Sequence, residues 1–125
     1  MNDLADYLSF VVSTLQASTI CQDIRVAETQ VFSGSQFLLK ARAVLKDDSV
    51  LQVRLYINKP HIDYAYQVVR NEEPIIRWDN KEHFPTIASF PHHFHGLDYK
   101  VTASPLNGNP EQDLPLVLDI LSKLL

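Results

Sequence analysis

"LKARAVLKDDSVLQVRLYI", residues Leu39 to Ile57, decides the fold. Leu39, Ala41, Ala43 and Leu45 alternate with Lys40 and Arg42; past a short link, Leu51, Val53, Leu55 and Ile57 alternate with Gln52, Arg54 and Tyr56. Successive side chains of a strand point to opposite faces, so apolar residues in phase at a period of two mark two half-buried strands. The link Lys46-Asp47-Asp48-Ser49 is short and rich in turn formers, which predicts an antiparallel hairpin.

The same alternation extends to both sides. "ICQDIRVAETQVF" (20–32) predicts an earlier strand with a bulge near Val26 and Ala27, "IDYAYQVV" (62–69) a later strand, and "PIIRWD" (74–79) a shorter one. At the ends the period changes. Leu4, Leu8, Val11 and Leu15 form one helical stripe, capped by Asn2 or Asp3, and Leu114, Leu118, Leu121 and Leu125 form another. Asp113 is the expected cap of that second helix, with Pro115 in its first turn. The expected fold is therefore α+β: an antiparallel sheet of four or five strands flanked by N- and C-terminal amphipathic helices on one face, in a single domain spanning residues 1–125.

Composition narrows the class. With 46% hydrophobic and 21% charged residues the chain is that of a folded protein rather than a disordered one. Its net charge of −4 offers no global attraction to nucleic acid, so a polyanion site requires a local basic patch. Lys40, Arg42, Arg54 and Tyr56, with Arg25, supply one on the polar face of the sheet. An ordinary solvated face reads the same way, and Glu28, Asp47, Asp48 and Asp63 lie near enough in sequence to blunt the patch. Cys21 is the one cysteine, which excludes an intrachain disulfide and a cysteine-built zinc cluster. Asp3 and Asp6 stand where a secretory signal needs positive charge, and no apolar run approaches the roughly 18 residues of a membrane span. These features predict a soluble cytoplasmic protein without membrane contact, either a monomer or a small oligomer.

The chemistry gathers in "RWDNKEHFPTIASFPHHFHG" (77–96), which holds four of the five histidines and the single tryptophan. From Asn80 to Gly96 neither period is present, so the stretch predicts an ordered loop pinned by Phe84, Phe90 and Phe94. One reading is a metal site, with His93 and His95 as an H-x-H pair, His83 or His92 as a third ligand and Asp79 adding a carboxylate. The other is metal-free cleavage of a phosphodiester. That reaction needs a base, an acid and a cation against the charge growing on phosphate, and His83, His92, His93, His95, Arg77 and Lys81 supply all three. Trp78 and Asn80 also have structural roles open to them, as a core anchor and a turn former, and Asp79 can pair with Arg77. Ser89 lacks an elbow motif, and Cys21 sits in a strand-like apolar setting, so a nucleophilic serine or cysteine is the weaker idea.

The series Arg77-Trp78-Asp79-Asn80, His83, Pro85, then Phe90-Pro91-His92-His93 with His95, resembles the TumE-type toxin components of bacterial toxin–antitoxin modules. The family pattern runs approximately R-W-D-N-x-P-H-H-P, a spacer, then F-P-H-H-x-H; here Glu82 replaces the proline and Phe84 the second histidine. The likeness spans roughly Ser35 to the carboxyl end. It implies a small cytoplasmic toxin with a helix-turn-helix antitoxin partner. Joined to the residue chemistry, it points to a metal-independent ribonuclease without a cofactor. His83, His92, His93, His95 and Arg77 are the catalytic candidates, and Lys81, Asp79, Asn80 and Trp78 the substrate-contact candidates. The alternative is a non-catalytic protein that uses His93 and His95 to hold a metal or a partner.

Overall fold

A computed structural model describes residues 1–125. Helix α1 (Leu4–Ala17) leads into seven strands, β1 (Cys21–Ser33), β2 (Gln36–Leu45), β3 (Val50–Asn58), β4 (His61–Arg70), β5 (Glu73–Asp79), β6 (His93–His95) and β7 (Val101–Ala103), and helix α2 (Pro110–Leu124) closes the chain. Each strand pairs antiparallel with the next, so the sheet is a meander in sequence order. The α+β class and the flanking helices are as the periodicity predicts. The strand number is not: there are seven rather than four or five. The additional β6 and β7 hold only three residues each, too few for a period of two to stand out from a loop.

The core lies between one sheet face and the two helices. Leu39, Leu45, Val53, Leu55 and Trp78 are each at most 1% exposed, so the alternation of β2 and β3 places their apolar face inward. Tyr7, Val11 and Leu15 of α1 and Leu114, Val117, Leu118 and Leu121 of α2 join them in one cluster. The register of β1 shifts between Val26 and Glu28, where the bulge is expected.

Two local expectations need correction. Asn109, not Asp113, caps α2: its side chain accepts from the Glu111 N–H, while Asp113 lies inside the helix and its carboxylate turns back to accept from Asn107 N–H (3.0 Å) and Gly108 N–H (2.8 Å). Pro115 therefore lies beyond the first turn, on the exposed side of the helix, where the freed carbonyl can reach water. Phe90 is 41% exposed and lies outside the hydrophobic core, so it does not anchor the loop there. Phe94 does pin its strand, against Trp78 with ring centroids 4.9 Å apart. Asn109→Ala is expected to cost about 0.5–2 kcal/mol, the usual value of a lost N-cap. It would be read as a lower urea midpoint at unchanged m-value.

Candidate functional site

The open face of the sheet is built row by row from cross-strand neighbours, which share a face. One row runs Arg25, Arg42, Gln52, Gln67, Arg77, His95, each residue opposite the next. The adjacent row runs Glu28, Lys40, Arg54, Ala65, Asp79, His93. Cations thus lead across the face from β1 to a cluster of Arg77, Asp79, His93 and His95. Glu28 pairs with Lys40 at 3.4 Å, but no carboxylate approaches Arg42 or Arg54 closely enough to pair. Ala65 is the one small side chain between Arg54 and Asp79, and a cleft opens there.

Asp79 is the centre of the cluster and is buried. Its Oδ2 accepts from Arg77 Nε at 2.6 Å and its Oδ1 from the Lys81 N–H at 2.9 Å. His93 Nε2 lies 3.0 Å from Oδ1, an ion pair when the ring is protonated, and His95 Nε2 lies 3.8 Å from Oδ2. Burial works to raise the Asp79 pKa, but the Arg77 and Lys81 hydrogen bonds and the charges of His93 and Arg77 outweigh it, so the carboxyl is held below its ordinary value. His93 is buried, and its Nδ1–H donates to the Pro91 carbonyl at 3.1 Å, which sets the ring's orientation. His95 is the accessible member, with 36% of its side chain exposed. Burial first, then the neighbouring charge of His93, lowers its pKa from the usual 6.5 against the opposing pull of Asp79. This favours the neutral form of its ring.

The other candidates separate from this cluster. His92 points through to the helix side, where its Nδ1 and the Tyr64 hydroxyl share a hydrogen bond of 2.7 Å. Burial, helped by the charges of Asp113 and Asp79, pushes the Tyr64 pKa up and disfavours ionisation of the phenol. His92 itself is lowered, chiefly by burial. His83 is exposed on the β5–β6 connection, in a groove of about 500 Å³ shared with Arg54, Arg77 and Lys81. Between His83 and the cluster stands Phe84, its ring edge-on to His93 (4.8 Å) and 5.9 Å from His95. Trp78 is core, and Asn80 ties the connection to β4 by accepting from Tyr64 N–H (3.0 Å) and donating to the Ile62 carbonyl (2.8 Å).

Sequence reasoning missed Gln67, which accepts from Arg77 Nη1 at 2.7 Å, and Tyr99, which stands beside His95. Gln67 was visible only as one more polar residue in an alternating strand, and Tyr99 lies in a turn with no period.

Asp79, His93 and His95 can each offer one ligand atom, and these lie within 4.8 Å of one another. The Nδ1–H to carbonyl bond of His93 is also the orienting contact that metal-bound histidines usually make. Arg77 at 2.6 Å from the same carboxylate works against a dication there, because it already supplies the positive charge.

The sequence model of one family, described as toxin TumE, matches residues 11–125. The chain belongs to this toxin family. The match takes in the second half of α1 as well as the sheet and α2, and so extends the likeness beyond the 35–125 span of the motifs. Family membership makes the chain a toxin of a toxin–antitoxin module and implies an antitoxin partner. No curated protein and no solved structure matches it significantly. No helix is long and apolar enough to cross a membrane.

Proposed function

We propose that this toxin is a cytoplasmic, single-domain, metal-independent ribonuclease restrained by a helix-turn-helix antitoxin, and that its active site is the open face around Arg77. The observation that supports this reading most is the position of Arg77. It lines three grooves at once: one with Lys40, Arg42 and Arg54, one with Lys81 and His83, and one with His95. A phosphate held at Arg77 has a basic track for its neighbours on one side and a histidine on each of the others. The Nε and Nη1 of Arg77 are tied to Asp79 and Gln67, so the guanidinium is oriented before substrate arrives.

In the proposed reaction neutral His95 takes the proton of a ribose 2′-hydroxyl, whose oxygen then bonds to phosphorus. The bond from phosphorus to the 5′-oxygen breaks as His83 gives that oxygen a proton. The products are a 2′,3′-cyclic phosphate and a 5′-hydroxyl. Arg77 faces the charge that builds on the phosphoryl oxygens; Asp79 is a positioning residue that holds Arg77, and His93 is one that pairs with Asp79 and borders His95. Histidine suits both proton transfers because its charge changes near neutrality.

Purified full-length chain incubated with RNA in excess EDTA tests the reading. Cleavage leaving cyclic phosphate ends is the expected result, and intact RNA across about pH 5–8 overturns it. The 4.8 Å triad favours a second reading, a metal-binding protein. One equivalent of zinc or nickel retained through purification, and lost in a His93→Ala, His95→Ala double variant, would put that reading in place of the first.

A further inference from the structure

We infer that Tyr99 is a stacking platform for the base beside the cleaved phosphate, which makes an unpaired RNA strand the substrate; the inference rests on the ribonuclease reading and specifies it. Tyr99 sits at the tip of the β6–β7 hairpin and is 94% exposed, so its ring contributes almost nothing to the protein's own packing. Its backbone is nevertheless held in the left-handed region at φ +64°, a conformation that side-chain-bearing residues other than Asn and Asp rarely take. The turn enforces this. Gly96 N–H donates to the Lys100 carbonyl and Tyr99 N–H to the Gly96 carbonyl, both at 3.1 Å, while Asp98 accepts from Lys100 N–H at 3.0 Å. A side chain at Gly96 would be tight, since its Cβ would lie 3.0 Å from Asp98 Oδ1 and 3.3 Å from the Phe94 ring and those side chains would have to give. A short, internally bonded turn thus presents a large aromatic side chain to water next to His95.

Tyr99 borders a groove of about 400 Å³ whose other walls are Pro74, Ile75, Ile76, Gly96 and the polar Gln67, Arg77 and His95. This groove differs from the other two at Arg77. The Lys40–Arg42–Arg54 groove is lined chiefly by cations and amides and suits phosphates, and the His83 groove sets Arg54, Arg77 and Lys81 against Asp63 and Glu82, whereas this one is largely apolar and suits a flat, weakly hydrated group. Aromatic side chains stack any base, so such a subsite selects for an accessible base face rather than for a sequence. In a duplex that face is covered by its neighbours, and sequence-tolerant RNA readers of this kind engage unstacked bases. The three grooves together describe a strand whose phosphates follow Lys40, Arg42 and Arg54 to Arg77 and whose next base turns into the Tyr99 groove.

The test separates binding from cleavage. A fluorescein-labelled single-stranded RNA carrying 2′-O-methyl groups at every ribose cannot be cut by the proposed route, and its anisotropy reports affinity for the full-length protein. Tyr99→Ala should weaken binding roughly 5- to 150-fold, the usual worth of one stacked base, while Tyr99→Phe and Tyr99→Trp stay near wild type. The same RNA annealed to its complement should bind more weakly than the single strand and be indifferent to Tyr99→Ala. Unchanged single-strand affinity in Tyr99→Ala, loss in Tyr99→Phe equal to that in Tyr99→Ala, or no binding by the wild type each overturns the inference. The ribonuclease reading fails separately. Wild-type protein that binds the methylated strand in a Tyr99-dependent way yet leaves unmodified RNA intact keeps the platform and loses the reaction.

Discussion

His95→Ala is expected to lower RNA cleavage about 10²–10⁴-fold with the protein still folded, because one well-placed acid–base group supplies that much rate. The substitution removes a ring whose side chain is 36% exposed and whose nearest charged partner, at 3.8 Å, is beyond hydrogen-bonding distance, so little of the fold depends on it. The pH profile adds a sign. A base works when unprotonated, and burial holds the His95 pKa below 6.5, so the acid limb of kcat/KM should fall below that value. An acid limb at or above 6.5, or full activity in His95→Ala, would falsify the assignment of the base. Arg77→Lys is the companion variant. It keeps a positive charge but cannot hold Asp79, Gln67 and a phosphate together, so cleavage should drop while the track of Lys40, Arg42 and Arg54 still binds RNA.

The second large effect belongs to Asp79. Removing this carboxylate by Asp79→Ala leaves His93 buried beside no counter-charge, Arg77 without its anchor and the Lys81 N–H without an acceptor. Breaking a buried pair by deleting one partner costs about 3–5 kcal/mol, and partial hydration of Arg77 places this case at the lower end. Asp79→Asn separates charge from hydrogen bonding, since an amide oxygen can still accept from Lys81. The linkage is definite in sign. The folded pKa of Asp79 lies below its unfolded value, so its stabilisation is complete above an unfolded pKa of about 3.9 and disappears as pH falls through the folded one. The difference in melting temperature between wild type and Asp79→Asn should therefore be full at neutral pH and shrink only as pH falls below the unfolded pKa of about 3.9. A difference that stays constant would mean that the carboxylate is not held by charge.

Much of the fold was legible because it rests on local alternation. Leu39 to Ile57 reveal two strands and their inward faces, and the leucine spacings at both ends reveal two helices. The loop from Asn80 to Gly96 was legible only as composition. Its four histidines look alike in sequence, yet His93 and His95 face Asp79 on the open side, His92 faces Tyr64 beneath the sheet, and His83 stands apart behind Phe84. The alternation that separates His92 from its neighbours is the same period of two, but a three-residue strand is too short to announce it. Asp113 misled for a related reason: an acidic residue ahead of an apolar run has the signature of a cap, and only the backbone path shows it accepting from Asn107 and Gly108 instead.

By itself the sequence determined which residues of each strand share a face, because side-chain direction along a strand is a property of the local backbone. It also determined that Arg77, Asp79 and the histidines would be neighbours along the chain, and which family the chain resembles. Only the tertiary structure decided which face neighbours meet across strands. Register depends on turn geometry and on the packing of distant segments, and it sets Arg42 opposite Gln52, Gln67 opposite Arg77, and Ala65 between Arg54 and Asp79. That register turns scattered cations into a track, opens a cleft over one alanine, and brings Tyr99 beside His95, because hydrogen-bonded pairing fixes distances between residues that the chain itself leaves free.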